Sequence, residues 1–292
     1  MKYILCLGLA LALAQGAPTN PEEGDLFEGD ILLEDGQDYN AIRNSRKMWP
    51  NGIIPYTVKS ATASERATLN AAIADYNKYT CIRWVPRTNQ MAYVSIVKGA
   101  GCYSVVGTLR HVQTLSLGHG CWTKGIIIHE MMHAVGFFHE QSRSDRDNYV
   151  TIMLQNVKTG MEHNFNKYSS GQVNDLLTYD YGSVMHYQAT AFSKNGEHTI
   201  VPKTSGARIG QRVGFSQLDI QKVNMLYKCN GGGGGMTTPK PTIRPTTRRL
   251  TTPENCQDRY SNCQWFKSNG YCDRPQDGNY YRSICPKSCG IC

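Results

Sequence analysis

The stretch HEMMHAVGFFHE at residues 129–140 constrains the fold of this chain more than any other feature. It holds three of the chain's eight histidines and two glutamates among otherwise apolar residues. On a helix His129 and His133, four residues apart, project from one face, so both imidazoles can reach a single ion. Gly136 suits a reversal after that helix, because glycine adopts the left-handed conformation such a turn demands. The reversal brings His139 round as a third ligand. Zinc accepts neutral imidazole nitrogen at about 2.0–2.1 Å and, when catalytic, takes three protein ligands and leaves a position for water. Structural zinc sites usually close with four protein ligands, whereas this motif offers three histidines with a carboxylate beside them. Glu130 is placed to take a proton from water activated by the metal and pass it to a leaving amine.

A bare His-Glu-x-x-His arises by chance in many chains. The full string sets three ligands, a base and a turn glycine together, which is far more specific. The other histidines (His111, His119, His163, His186, His198) lack ligand spacing and read as surface or hydrogen-bonded residues.

Residues 1–16 read as a secretory signal. Lys2 precedes the apolar run ILCLGLALALA, and small Ala14 and Gly16 suit cleavage before Ala17. A membrane-spanning helix needs about 20 apolar residues, a length no stretch reaches, so a secreted, extracellular protein that does not span a membrane is expected. Cys6 leaves with the signal, and the ten remaining cysteines fall into two groups. Cys81, Cys102, Cys121 and Cys229 are spread over a long region; Cys256, Cys263, Cys272, Cys285, Cys289 and Cys292 crowd the last stretch. Two separate disulfide frameworks follow for an oxidising compartment, with three possible pairings in the first and fifteen in the second.

The net charge of +8 conceals an asymmetry. Residues 17–39 carry eight acidic side chains and no Lys or Arg; beyond Lys2 and this segment, 30 basic side chains face 15 acidic ones. A basic surface favours acidic partners. With no basic stripe interleaved with aromatics, nucleic acid is not an expected partner.

Residues 17–39 lack apolar periodicity and read as a poorly ordered segment or a removable pro-piece. The strings IIPYTV and AYVSIV predict strands, while TASERATLNAAIADYNKYT and GIIIHEMMHAVGFF predict helices. Ser216 followed by Asp219 resembles a capping box opening a helix toward Tyr227. Helix and strand mix without regular alternation, which argues for α+β. The catalytic region spans 40–230. Residues 231–255, GGGGG followed by a Thr/Pro-rich run, form a linker, and residues 256–292 are too short for a hydrophobic core and depend on disulfides.

HEMMHAVGFFHEQSRSDRD from His129 and SVMHY from Ser183 resemble the astacin family of zinc endopeptidases, members of the metzincins, over about 40–229. The resemblance implies a two-lobed α+β catalytic domain with a mixed sheet and an active-site helix, cutting internal bonds of protein and peptide substrates. It implies one zinc ion held by His129, His133 and His139, with Glu130 as general base. Met185 forms the turn beneath the metal, and Tyr187 contacts zinc at rest and swings to support the oxyanion, a role suited to a phenol donor. FEGD at 27–30 is similar to the family's pro-segment motif, making Asp30 the zymogen switch that ligates zinc in place of water. The mature chain begins near Asn40 or Ala41, and its new amino terminus folds toward Glu140. No basic residue precedes Asn40 in the segment, so trypsin-like activation is not expected.

The family pattern pairs Cys81 with Cys229 and Cys102 with Cys121. Arg212 aligns with a substrate-binding arginine that, in some relatives, favours an acidic residue just after the cleaved bond. The tail resembles the ShK-type module, which implies Cys256–Cys292, Cys263–Cys285 and Cys272–Cys289. Toxic members of that group use Lys followed by Tyr; here the corresponding pair is Asn279 and Tyr280. The expected partner of the tail is therefore an extracellular-matrix or cell-surface ligand or a substrate rather than a channel.

Overall fold

The computed structural model describes residues 20–33, residues 45–229 apart from 171, 172 and 174, and, in the tail, 264, 267, 272, 282 and 286–290. The chain divides into two compact units, Met1–Met236 and Thr237–Cys292. The expected signal and linker lie outside the described residues, as do Cys256, Cys263, Cys285 and Cys292. In the tail Cys272 is bonded to Cys289.

The first unit opens with a sheet interleaved with helices. Strands β1 (Ile53–Val58), β2 (Arg83–Pro86), β3 (Tyr93–Val97), β4 (Cys102–Ser104) and β5 (Val112–Leu117) lie in the order β2-β1-β3-β5-β4. The first four neighbours in that order run parallel, and β4 returns antiparallel to β5 as the far edge. Helix α1 (Ala63–Tyr79) follows β1. A capping box opens it: the Glu65 amide donates to Thr62 Oγ1 (3.3 Å) and the Thr62 amide to Glu65 Oε2 (2.7 Å). Leu69, Ala72, Ile73 and Tyr76 recur at helical spacing and form its buried face.

Helix α2 (Lys124–Val135) is different in kind, because every residue from Gly125 to Val135 is buried. A helix that is apolar nearly all round belongs in a core, and this one carries His129, Glu130 and His133 there with no exposure at all. The hydroxyl of Tyr76 donates to Ile128 O at 3.1 Å and ties α1 to it. The helix ends at Gly136, with φ 129°, where the backbone amide caps the Met132 and His133 carbonyls. Conformation rather than crowding selects glycine, since an added Cβ would meet only a Leu226 methyl at 3.8 Å.

Beyond Gly136 regular structure thins out. Four 3₁₀ turns, at Glu140–Ser142, Arg146–Asn148, Leu154–Asn156 and Glu162–Phe165, join the two-stranded ribbon β6 (Val150–Ile152) and β7 (Ile200–Pro202). Aromatic packing substitutes for strand pairing, as in the stack of Tyr149 on Tyr179 at 4.7 Å. Helix α3 (Gln217–Leu226) closes the unit, opened by the predicted capping box of Ser216 and Asp219. Disulfides join Cys81 to Cys229 and Cys102 to Cys121, the pairs implied by the family pattern.

The expectation that the acidic segment is poorly ordered does not hold for residues 20–33. Ile31 pairs in parallel with Ser104 on the open edge of β4, and the Ser104 amide donates to Asp30 O at 2.9 Å. Glu22, Glu28, Asp30 and Ile31 are buried. Pairing with an unfilled sheet edge and burial of apolar Ile31 offset the cost of ordering a segment with no periodicity of its own.

Candidate active site

Helix α2 and the turn after it bring the predicted ligands together. One nitrogen each from His129, His133 and His139 and one oxygen of Asp30 lie within 4.8 Å of one another, all buried. The Asp30 carboxylate is 3.1 Å from His129 Nε2, 3.3 Å from His133 Nε2 and 3.3 Å from His139 Nε2. A tetrahedron with bonds of about 2.0–2.1 Å has edges of about 3.3–3.4 Å, close to the 3.1 and 3.3 Å from Asp30 Oδ2 to His129 and His139, while Oδ1 is the oxygen nearer His133; three imidazoles and a carboxylate gathered this way suit a zinc ion. The far side of each ring supports the same conclusion. His129 Nδ1 meets Val184 O at 2.8 Å, His133 Nδ1 meets Phe137 O at 2.7 Å, and His139 Nδ1 meets Glu28 Oε2 at 2.6 Å. Each acceptor holds the proton on Nδ1 and turns the Nε2 lone pair inward. Asp30 Oδ1 and His133 Nε2 are buried without a hydrogen-bond partner, as atoms meant for a cation would be.

The charges are opposed in a way a cation reconciles. Burial and then Arg212 push His129 down to about 4, whereas His139, despite its burial, is raised to about 9 by Asp30 and Glu28. Burial would also raise the Asp30 carboxyl, but His139 and His133 draw it well below the usual carboxylate range. One Glu130 oxygen lies within 4.8 Å of donor atoms of Glu22, Asp30 and His129, and both its oxygens are buried with no hydrogen-bond partner. Burial first, then Asp30 and Glu22, hold its carboxyl well above the ordinary range.

The turn Ser183–Tyr187 lies against the ligand elements, its Val184 carbonyl meeting His129 Nδ1. Met185 is buried in the main core, and its carbonyl accepts from the Glu140 amide at 3.0 Å. Tyr187 packs against His139, ring centroids 4.6 Å apart, and its hydroxyl donates to Glu28 O at 2.5 Å. Arg212 is held by two backbone carbonyls, those of His186 and Gln211, each 3.0 Å from Nη1. Its Nε meets both oxygens of Glu22, at 2.7 and 3.0 Å, and Glu22 Oε1 lies 3.8 Å from His129 Nε2. Arg212 therefore presents a fixed guanidinium to a carboxylate beside the metal position.

Glu140 pairs with Lys222, whose Nζ lies 2.7 and 2.6 Å from its two oxygens; Asn40 and Ala41, the expected mature start, lie outside the described residues. Sequence reasoning missed this lysine, along with Glu22, Glu28 and Gln141, whose Oε1 accepts from the Tyr187 amide at 3.0 Å. It read Asp219 only as a helix cap, although that carboxylate also accepts from Ser183 Oγ (2.6 Å) and the Val184 amide (2.9 Å). For Glu22 and Glu28 the signal was present in the acidic run of residues 17–39, in which only Asp30 had a role.

Three imidazoles with outward-facing supports, a buried carboxylate among them and a second carboxylate alongside make a donor set suited to zinc. Residues 41–228 match the family model Astacin (Peptidase family M12A), and residues 255–292 match the ShK domain-like model. Zinc metalloproteinase nas-15 of Caenorhabditis elegans is 45% identical over 94% of this chain, which spans 52% of that protein's length. Zinc metalloproteinase nas-4 of the same organism is 44% identical over 74% of this chain and 73% of its own. Among solved structures, High choriolytic enzyme 1, a hatching enzyme zinc-protease from Oryzias latipes, superposes with a TM-score of 0.61 at 43% identity, over 64% of this chain and 96% of that one. The chain belongs to the astacin family of zinc metalloproteinases, and its tail to the ShK-like domains.

Proposed function

We propose that this chain is a secreted endopeptidase made as a zymogen, in which residues 17–39 hold the centre inactive until removed. One observation carries the reading: Asp30 occupies the corner of the donor set that a hydrolytic centre leaves for water, while Glu130 stands beside it unpartnered. Zinc, when bound, polarises a carbonyl and acidifies water. The chain's own residues do the rest. Glu130 takes the proton from the attacking water as its oxygen joins the carbonyl carbon, then delivers it to the amine as the C–N bond breaks. Removal of residues 20–33 withdraws Asp30 and Glu22, the two charges that together with burial raise the Glu130 carboxyl, and so favours the ionised base. It also frees the Tyr187 hydroxyl to support the developing oxyanion.

Arg212, freed from Glu22, would favour peptides with an acidic side chain just after the cleaved bond, and the ShK-like tail would bind matrix, cell-surface ligand or substrate. The test mixes protein lacking the pro-segment with casein or a fluorogenic peptide, with and without a chelator, alongside Glu130→Ala. Hydrolysis abolished by the chelator, and nearly abolished in a variant that still binds zinc, is expected. Comparable cleavage by Glu130→Ala would remove the assigned base.

A further inference from the structure

Gln188, the half-buried residue after Tyr187, has no part in the proposed hydrolysis, yet it holds a carboxylate. Its Nε2 donates to Glu23 Oε1 at 3.1 Å. The residue before Glu23 is Glu22, whose two oxygens meet Arg212 Nε. Two adjacent acidic side chains are thus taken up by two side chains of the site, one cationic and one neutral. Asn20 Nδ2 also donates to Glu23 Oε1, at 3.3 Å, so the acidic segment supplies part of the support for this arrangement itself.

Gln188 and Arg212 belong to one wall. With Ile126 and Gly210 they line a cavity of about 180 Å³, which residues 20–22 also line. The carbonyl of His186, two residues before Gln188, accepts from Arg212 Nη1 at 3.0 Å. Gly210 lies so close that an added Cβ would fall 2.3 Å from Gln188 Cα, and its φ of +81° favours glycine as well. Backbone contacts therefore set where the two donors stand relative to each other. The wall adjoins the reacting position, because Glu22 Oε1 is 3.8 Å from His129 Nε2.

Once the acidic segment is gone, both donors lose their carboxylates. A peptide drawn past the metal position brings its own side chains to the same wall. A guanidinium selects a carboxylate by charge and by its forked geometry. A primary amide donates to many acceptors, but the bond to an ionised one is the stronger. We propose that Gln188 is a second specificity-determining residue, selecting peptides with a further acidic side chain within two residues of the one held by Arg212. The inference rests on the reading of the site as a zinc endopeptidase and names its substrate class, segments with paired acidic residues following the cleaved bond.

The test uses the full chain freed of residues 17–39 and fluorogenic peptides carrying Glu just after the cleaved bond, with either Glu or Gln at the second or third place. With Gln188 intact, Glu at one of those places is expected to raise kcat/KM about three- to tenfold over Gln, as suits a half-exposed amide–carboxylate bond. Gln188→Leu should bring that ratio to about one while the preference for Glu at the first place, set by Arg212, persists. Gln188→Lys should lift the ratio above its starting value. No gain from a second Glu at either place, or a gain that survives Gln188→Leu, would overturn the proposal. If Gln188→Leu does not fold, an unchanged ratio in Gln188→Lys would overturn it instead. Absence of chelator-sensitive hydrolysis of every peptide would overturn the endopeptidase reading, and this role with it.

Discussion

The stretch from Ile53 to Val135 and the stretch from Gly136 to Phe215 are about equally long but are held by different means. The first buries apolar side chains at regular intervals, as in Leu69, Ala72, Ile73 and Tyr76 of α1 or Val94 and Ile96 of β3. The second relies on buried polar groups, among them Gln141, Ser142, Arg143, Ser183 and His186, each 8% exposed or less. Periodic burial is tolerant, since one apolar side chain can replace another of similar volume. Buried polar contacts are specific, because each donor and acceptor must be matched. The centre lies where the two meet, with His129 and His133 from the first and His139 and Tyr187 from the second. Position is fixed from one side by packing and from the other by hydrogen bonds.

The largest effect should come from the junction itself. Glu130→Gln keeps the shape of α2 and should lower kcat by about 10²–10⁴-fold with zinc retained; steady-state kinetics beside metal analysis checks this. Next is Gly125→Ala, where α2 crosses the segment bearing Arg212. An added Cβ would lie 1.7 Å from Arg212 O, a backbone atom that cannot step aside. A loss of roughly 3 kcal/mol or more is expected in urea unfolding, because overpacking against backbone forces the two stretches apart.

Acid should act on the second stretch through His186. Burial pushes its pKa from 6.5 down to about 4, so between those values the unfolded chain binds a proton that the folded chain refuses. Its contribution is fully present above about pH 6.5, falls as pH drops to about 4, and then stays level, for a total on the order of 3 kcal/mol. His186→Gln should flatten that part of the stability–pH curve; an unchanged curve would assign the acid sensitivity to other groups.

The two capping boxes give the smallest and cleanest contrast. Thr62→Ala removes an exposed cap from α1 and should cost about 1 kcal/mol. Asp219→Ala removes the same motif from α3 but also leaves Ser183 Oγ and the Val184 amide unmatched in the interior, for about 2–3 kcal/mol. It should also weaken zinc binding, since Val184 O orients His129. Equal costs for the two caps would mean that the second stretch is no more sensitive to polar mismatch than the surface.

The same division explains what could be read from the chain. IIPYTV and AYVSIV correspond to β1 and β3, and both long predicted helices formed, because period and burial leave a direct mark on residue order. Strands β4, β6 and β7, each of three residues, left no pattern to find. The three ligands were legible because a helix and a glycine turn converge locally. Lys222 and Glu140 meet across 82 positions and Glu22 and Arg212 across 190, and no local spacing records such pairs. The order of residues 20–33 was hidden for the same reason, since it depends on the edge of β4 rather than on the segment's own composition.

The bond between Cys81 and Cys229 encloses 148 positions, including every residue placed at the centre except Asp30 and its neighbours in the acidic segment. A nick anywhere inside that ring leaves both fragments covalently attached. A single cut inside the ring would leave the fragments together on a non-reducing gel and separate them only when thiol is added. Apparent size on a non-reducing gel is therefore a poor measure of how much of a preparation has been cut within the ring.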